Sequence, residues 1–174
     1  MLNYGKYQHV RNASWQCLID CHVTKLPLKP VQIAAQYQLQ CVYDDIEQAG
    51  KVTNNGIILL NKSQSVQRQF TVMHELGHYL LGHVGSDPRF RDSGRTEEEQ
   101  EADRFAVGCL MPACVLWALH ATTAKEIAAL CNVSMQAAEI RSRRMQILLA
   151  RNKFLTHPLE RQVFEQFQQF INNQ

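Results

Sequence analysis

The sequence predicts a mainly helical α+β fold with a small, largely antiparallel sheet, and three observations carry that expectation. Apolar residues recur at the three- and four-residue spacing of a helix face through most of the 174 positions. Only Leu39 to Tyr43 and Ile57 to Leu60 read as strands. Between them, Asn54-Asn55-Gly56 tolerates positive φ and favours a hairpin with Ile57 onward as one arm.

Arg11 to Val23 places Ala13, Cys17, Leu18 and Cys21 on a helical spacing. The prolines of Leu26-Pro27-Leu28-Lys29-Pro30 stop that helix and open a second through Ala34 and Ala35. Beyond the hairpin, Ser63 or Ser65 can cap a helix running to about Leu81, with Phe70, Met73, Leu76 and Leu80 as its buried stripe. Val84 to Arg95 is rich in Gly, Ser, Asp and Pro and reads as an exposed loop. A helix from about Thr96 to Leu110 ends at Met111-Pro112. Three amphipathic segments complete the chain: Val115 to His120, Lys125 to about Ala150 with a break near Asn132, and Pro158 to Ile171. The last puts Leu159, Val163, Phe164, Phe167, Phe170 and Ile171 on one face, a stripe suited to closing the interior.

Composition narrows the function classes. With 45% hydrophobic and 20% charged residues, and only 8 glycines and 5 prolines, neither disorder nor a fibrous class fits. No apolar run approaches the roughly 20 residues that a membrane helix needs. Met1 to Val10 lacks the charged-then-apolar order of a secretory signal, so residence in the cytoplasm is expected. A net charge of +2 forces neither a nucleic-acid nor a membrane partner. The six cysteines fall in apolar stretches and are expected to be reduced, buried thiols. Cys17 and Cys21, one turn apart beside His22, lack the second pair that a zinc knuckle requires.

The chemistry lies in His74-Glu75-Leu76-Gly77-His78, an H-E-x-x-H motif inside the helix expected to end near Leu81. Residues four apart share a helix face, so both imidazoles can offer a nitrogen to one cation. Glu75 stands beside them, within reach of a water on that ion, which suits zinc-dependent hydrolysis. Gly77 costs about 1 kcal/mol in a helix interior, yet it leaves room for whatever element brings the third ligand.

A catalytic zinc usually has three protein ligands and one open position. His83 follows His78 by five residues, whereas the metzincin pattern needs a histidine at the position of Val84, so that class is excluded. Glu97, Glu98, Glu99 and Glu101, at the start of the next helix, are the remaining candidates. Glu99 fits best. It shares a face with Ala102, Asp103, Ala106 and Leu110, and Asp103 one turn on can accept the free N–H of a ligating imidazole. The pair resembles the E-x-x-x-D arrangement of thermolysin-like gluzincins. Glu99 could instead close a capping box with Thr96, and Glu98 stays open as a rival.

The stretch Gln69-Phe70-Thr71-Val72-Met73-His74-Glu75-Leu76-Gly77-His78-Tyr79-Leu80-Leu81 resembles the ImmA/IrrE-type metallopeptidases. So does Glu99-Gln100-Glu101-Ala102-Asp103-Arg104-Phe105-Ala106 followed by Leu110-Met111-Pro112, with Asp103 where that family more often has Asn. The likeness continues from Lys125 to Arg141 and, more faintly, across the N-terminal helices. The expected organisation is a metallopeptidase core in residues 1–120 with a helical region in 121–174 packed on it as one domain, and the likeness implies a zincin-like fold for that core. It also implies Zn2+ held by His74, His78 and Glu99, with Asp103 as support and Glu75 as the catalytic base. The expected activity is a cytoplasmic zinc endopeptidase of mobile elements and stress responses, cleaving a co-encoded helix-turn-helix repressor. The side chain completing the oxyanion site stays open among Tyr79, His83, His120 and His157.

A different reading starts from Lys125 to Arg141, within an HTH-like pair expected over residues 124–145: a small residue in the first helix, a turn, Val133-Ser134, then a second helix. Asn132 stands where such turns usually have Gly, and it can adopt the same backbone. Arg141, Arg143, Arg144, Arg151 and Lys153 add positive charge. On this reading the chain is a DNA-binding or repressor-binding regulator with a structural or sensory metal site. The small net charge counts against nucleic acid, and the basic cluster reads more simply as a solvated helix face.

Overall fold

The computed structural model describes residues 4–60, 65–83 and 96–174. The chain forms two compact units, Met1–Ala13 with Lys29–Ala106 and Ser14–Leu28 with Val107–Gln174. The predicted loop Val84 to Arg95 and the predicted cap Ser63 lie outside the described residues.

The elements run α1 (Tyr4–Asp20), α2 (Pro30–Gln36), β1 (Gln40–Asp44), β2 (Gly50–Val52), β3 (Gly56–Leu60), α3 (Ser65–Leu80) and α4 (Glu97–Leu110). There follow α5 (Ala113–Ala118), α6 (Ala124–Cys131), α7 (Met135–Arg151), α8 (Pro158–Gln166) and α9 (Gln168–Asn172). The α+β class and its helical majority are as expected. None of the described helices is long and apolar enough to cross a membrane.

The sheet departs from expectation. It is mixed, in the order β1-β3-β2, rather than largely antiparallel. Val52 pairs with Ile57 across the Asn54-Asn55-Gly56 turn, so the hairpin joins β2 to β3 as the turn signal predicts. β1 lies parallel to β3, Gln40 beside Gly56 and Asp44 beside Leu60. The physical reason is the extra strand. β2 takes the antiparallel edge of β3, which leaves β1 the other edge, after a connection that reverses the chain twice. At Gly56 an added Cβ would stand 2.5 Å from the Gln40 carbonyl oxygen, so the parallel pair closes over a residue without a side chain.

α3 packs on this sheet through an apolar stripe in which Met73 and Leu76 are fully buried, and Ile57 and Leu59 of β3 are buried as well. Gly50 opens β2 directly against α3. A Cβ there would meet Thr71 Cγ2 at 2.3 Å and Glu75 Cγ at 3.2 Å. The close approach brings the backbone of the edge strand to the motif.

In the second unit, Gly108 lets α4 pass Ser14, whose Oγ would lie 2.5 Å from an added Cβ. The Gln166 amide donates to the carbonyls of Leu18 and Val23 at 2.8 and 2.6 Å, fastening α8 to the end of α1. The C-terminal apolar segment breaks at Phe167 into α8 and α9, with Val163 and Phe167 fully buried. α6 carries a capping box between Thr123 and Glu126 and ends on Asn132 at φ 52°, the left-handed backbone expected of that residue. Ser134 then caps α7.

All six cysteines are reduced thiols outside any disulfide, five of them buried and Cys41 half-buried. Burial, with the Glu160 charge behind it, pushes the Cys114 thiol up to about 12; burial does the same to Cys131, against a smaller opposing effect of Arg141. A raised thiol pKa means a neutral, unreactive group, with on the order of one part in ten thousand as thiolate at pH 8. A thiol-reactive reagent is therefore expected to leave Cys114 and Cys131 unlabelled in the native chain and to label both in denaturant, read by mass spectrometry.

Candidate metal centre

The site is built on α3 and α4 within the first unit. The helical repeat puts His74 and His78 on one face of α3, and their Nε2 atoms stand 3.1 Å apart. From the first turn of α4, Glu99 brings one carboxylate oxygen to 3.2 Å from His74 Nε2 and the other to 3.4 Å from His78 Nε2. Ligand atoms of these three residues all lie within 4.8 Å of one another, a group that can hold a metal ion.

Gly77 explains how α4 comes so near. A Cβ at this position would lie 3.0 Å from Phe105 Cδ1 and 3.3 Å from the Cα and carbonyl oxygen of Ala102, so the backbone of α4 occupies the space Gly77 leaves open. Ala102 sits between Glu99 and Asp103, and the glycine thus sets the depth of both carboxylates. Gly77→Val is expected to cost about 1–3 kcal/mol through overpacking, despite better helix propensity. It is also expected to weaken metal binding by displacing α4. Thermal melting with and without added metal would check both.

The surroundings fix the chemistry of each donor. Asp103 Oδ1 lies 2.9 Å from His74 Nδ1. A carboxylate only accepts, so a neutral His74 carries its proton on Nδ1, and Nε2, the atom that faces His78 and Glu99, is the one left to offer its lone pair to a cation. Burial disfavours a charge on His74. The hydrogen bond to Asp103, with the charges of Glu75, Asp103 and Glu99, outweighs that and holds its pKa above the ordinary value. The pocket draws positive charge. The two Nε2 atoms and the carboxylate, 3.1–3.4 Å apart, match the spacing of ligands around an ion with bonds of about 2.0–2.1 Å, which places its tetrahedral ligands about 3.3–3.4 Å apart. The donor set fits a divalent cation with nitrogen and oxygen preference.

Glu75 is buried, and its Oε2 accepts the N–H of Val52 on β2 at 2.9 Å. The edge strand thereby holds the carboxylate beside His74. The Thr96 hydroxyl accepts the Glu99 backbone N–H at 3.3 Å, so the expected cap forms through the main chain while the Glu99 carboxylate faces the imidazoles.

Two residues weighed from sequence as lone ligands meet each other instead. His83 Nδ1 lies 3.2 Å from His78 Nδ1, and His83 Nε2 lies 3.1 Å from Glu101 Oε2. His157 belongs to the second unit, where it caps α8 and packs against Trp15, and His120 lies in that unit too. The sequence reading missed Val52 and β2 altogether, since three residues do not show a strand's alternation. It also missed the pairing of His83 with Glu101, for which only the closeness of His83 to the motif gave a sign.

No curated protein matches the chain. The family model for Peptidase M78, described as the IrrE N-terminal-like domain, matches residues 19–143, which include the whole His74, His78, Glu99 and Asp103 constellation. That match supports a metallopeptidase-type function. With most of its length aligned to this model, the chain belongs to the IrrE N-terminal-like peptidase family.

Proposed function

We propose that the protein is a zinc endopeptidase, acting in the cytoplasm on a helix-turn-helix transcriptional repressor encoded beside it. One observation carries the enzymatic part: two imidazole nitrogens and the Glu99 carboxylate converge on one point, with Glu75 held beside them by a backbone N–H. His74, His78 and Glu99 would hold the ion. When bound, zinc would supply a Lewis acid and lower the pKa of water to about 7. Glu75 is the proton carrier. Its carboxylate takes a proton from the attacking water and returns it to the amine that leaves. Asp103 keeps the proton of His74 on Nδ1.

The repressor as substrate rests on the ImmA/IrrE resemblance of the two motif blocks. Purified protein incubated with the repressor of the neighbouring gene is expected to cut it and abolish its operator binding, and a chelator is expected to stop the cut. An intact repressor still competent on its operator would sink the substrate assignment.

The regulator reading, in which α6 and α7 contact DNA, has less support. Arg141 is turned inward and donates from Nη2 to the Met111 carbonyl. Exposed Arg143 lies 3.9 Å from Glu139, so the basic face carries less spare charge than its count suggests.

A further inference from the structure

We propose that His83 and Glu101 form a relay that fixes the tautomer and ring orientation of His78, and so sets the affinity of the site for its metal. The inference rests on the metallopeptidase reading above and extends it to two residues outside the H-E-x-x-H motif.

The way α3 ends places His83. Gly82 has φ +79°, its N–H donates to the Tyr79 carbonyl at 3.3 Å, and the His83 N–H donates to the His78 carbonyl at 2.8 Å. Those two bonds with a left-handed glycine make a Schellman motif, which folds the second residue beyond the helix back over the residue five positions earlier. The contact so formed is usually apolar. Here it joins two imidazoles, with ring centroids 5.2 Å apart, planes at 68° and Nδ1 atoms 3.2 Å apart.

Two nitrogens at that distance need one proton between them, and Glu101 decides which ring owns it. A carboxylate accepts only, so its contact with His83 Nε2 puts the proton of a neutral His83 on that atom and leaves Nδ1 bare. His83 Nδ1 then accepts from His78 Nδ1–H. His78 is left with a bare Nε2, the atom that faces His74 Nε2 and Glu99. Donation runs one way, from His78 to His83 to Glu101. Asp103 does the same for His74 in a single step. Side-chain exposures of 9% for His83 and 14% for Glu101 leave little water to take over either role.

Zinc titration of the metal-free full chain, by competition with a chromophoric chelator, tests the relay. Wild type is expected to bind one equivalent, and His83→Leu to bind it about 10- to 100-fold more weakly. His83→Asn, whose amide oxygen can take the place of Nδ1, is expected to recover most of that loss. Glu101→Leu should weaken binding like His83→Leu, and the double variant should lose little more than either alone, because both act on one chain of bonds. Wild-type zinc affinity in His83→Leu overturns the relay alone. So do equal losses in the Leu and Asn variants with matching drops in metal-free melting temperature, which mark a purely structural role. Two equivalents in wild type falling to one in His83→Leu would make His83 a ligand of a second ion, and also overturn it. A wild-type chain that binds no zinc removes the metallopeptidase reading itself.

Discussion

Glu75→Gln is expected to bind zinc as tightly as the wild-type chain and to cut its substrate at least about 100-fold more slowly, the low end of what a positioned proton carrier contributes. The substitution is nearly isosteric. The Gln oxygen can still accept the Val52 N–H that now reaches Glu75 Oε2 at 2.9 Å, so β2 should keep its place against α3. None of the three converging donor atoms belongs to Glu75. Only the proton acceptor disappears. Zinc stoichiometry and the rate of repressor cleavage, measured on the same preparation, separate the two effects. A variant that still inactivates the repressor without cutting it would show that binding does the work, and would favour the regulator reading over the enzyme.

The parts of this site that could be read from the sequence are those a helix repeat determines. The i, i+4 spacing of His74 and His78 fixes their shared face, and the inward face of α4 picks out Glu99 and Asp103. Gly77 was legible for a related reason. A glycine in a helix interior is costly, so a close neighbour is the economical explanation, and the backbone of Ala102 is that neighbour. The missing parts depend on pairing between segments. Gly50 to Val52 is too short to show alternation, and without β2 the two visible strands look like one hairpin. With it, β1 is parallel and the carboxylate of Glu75 gains its backbone partner. His83 shows the same limit. Its identity and distance from His78 are plain in the sequence, but its use follows from Gly82 turning the chain and from Glu101 arriving on α4.

Glu99→Ala is expected to abolish zinc-dependent stabilisation, whereas Glu98→Ala retains it. At zinc concentrations about 100-fold above the dissociation constant, binding should stabilise the wild-type chain by about 2.7 kcal/mol. At about 2–4 °C per kcal/mol for a chain of this size, the melting temperature rises by about 5–11 °C. Glu99 meets both Nε2 atoms, so its loss removes a donor from the ion and should weaken binding by more than the roughly 10- to 100-fold that a lost supporting bond costs. The helix start survives the change, because Thr96 caps it through the backbone N–H at position 99 rather than through the side chain. The metal-free forms of both variants should therefore melt close to the metal-free wild type, and the contrast should emerge only when zinc is added. A shift kept by Glu99→Ala and lost by Glu98→Ala would transfer the third ligand to Glu98, turn the first turn of α4 by one residue in solution, and leave Asp103 on His74 without the neighbour that gives it a purpose.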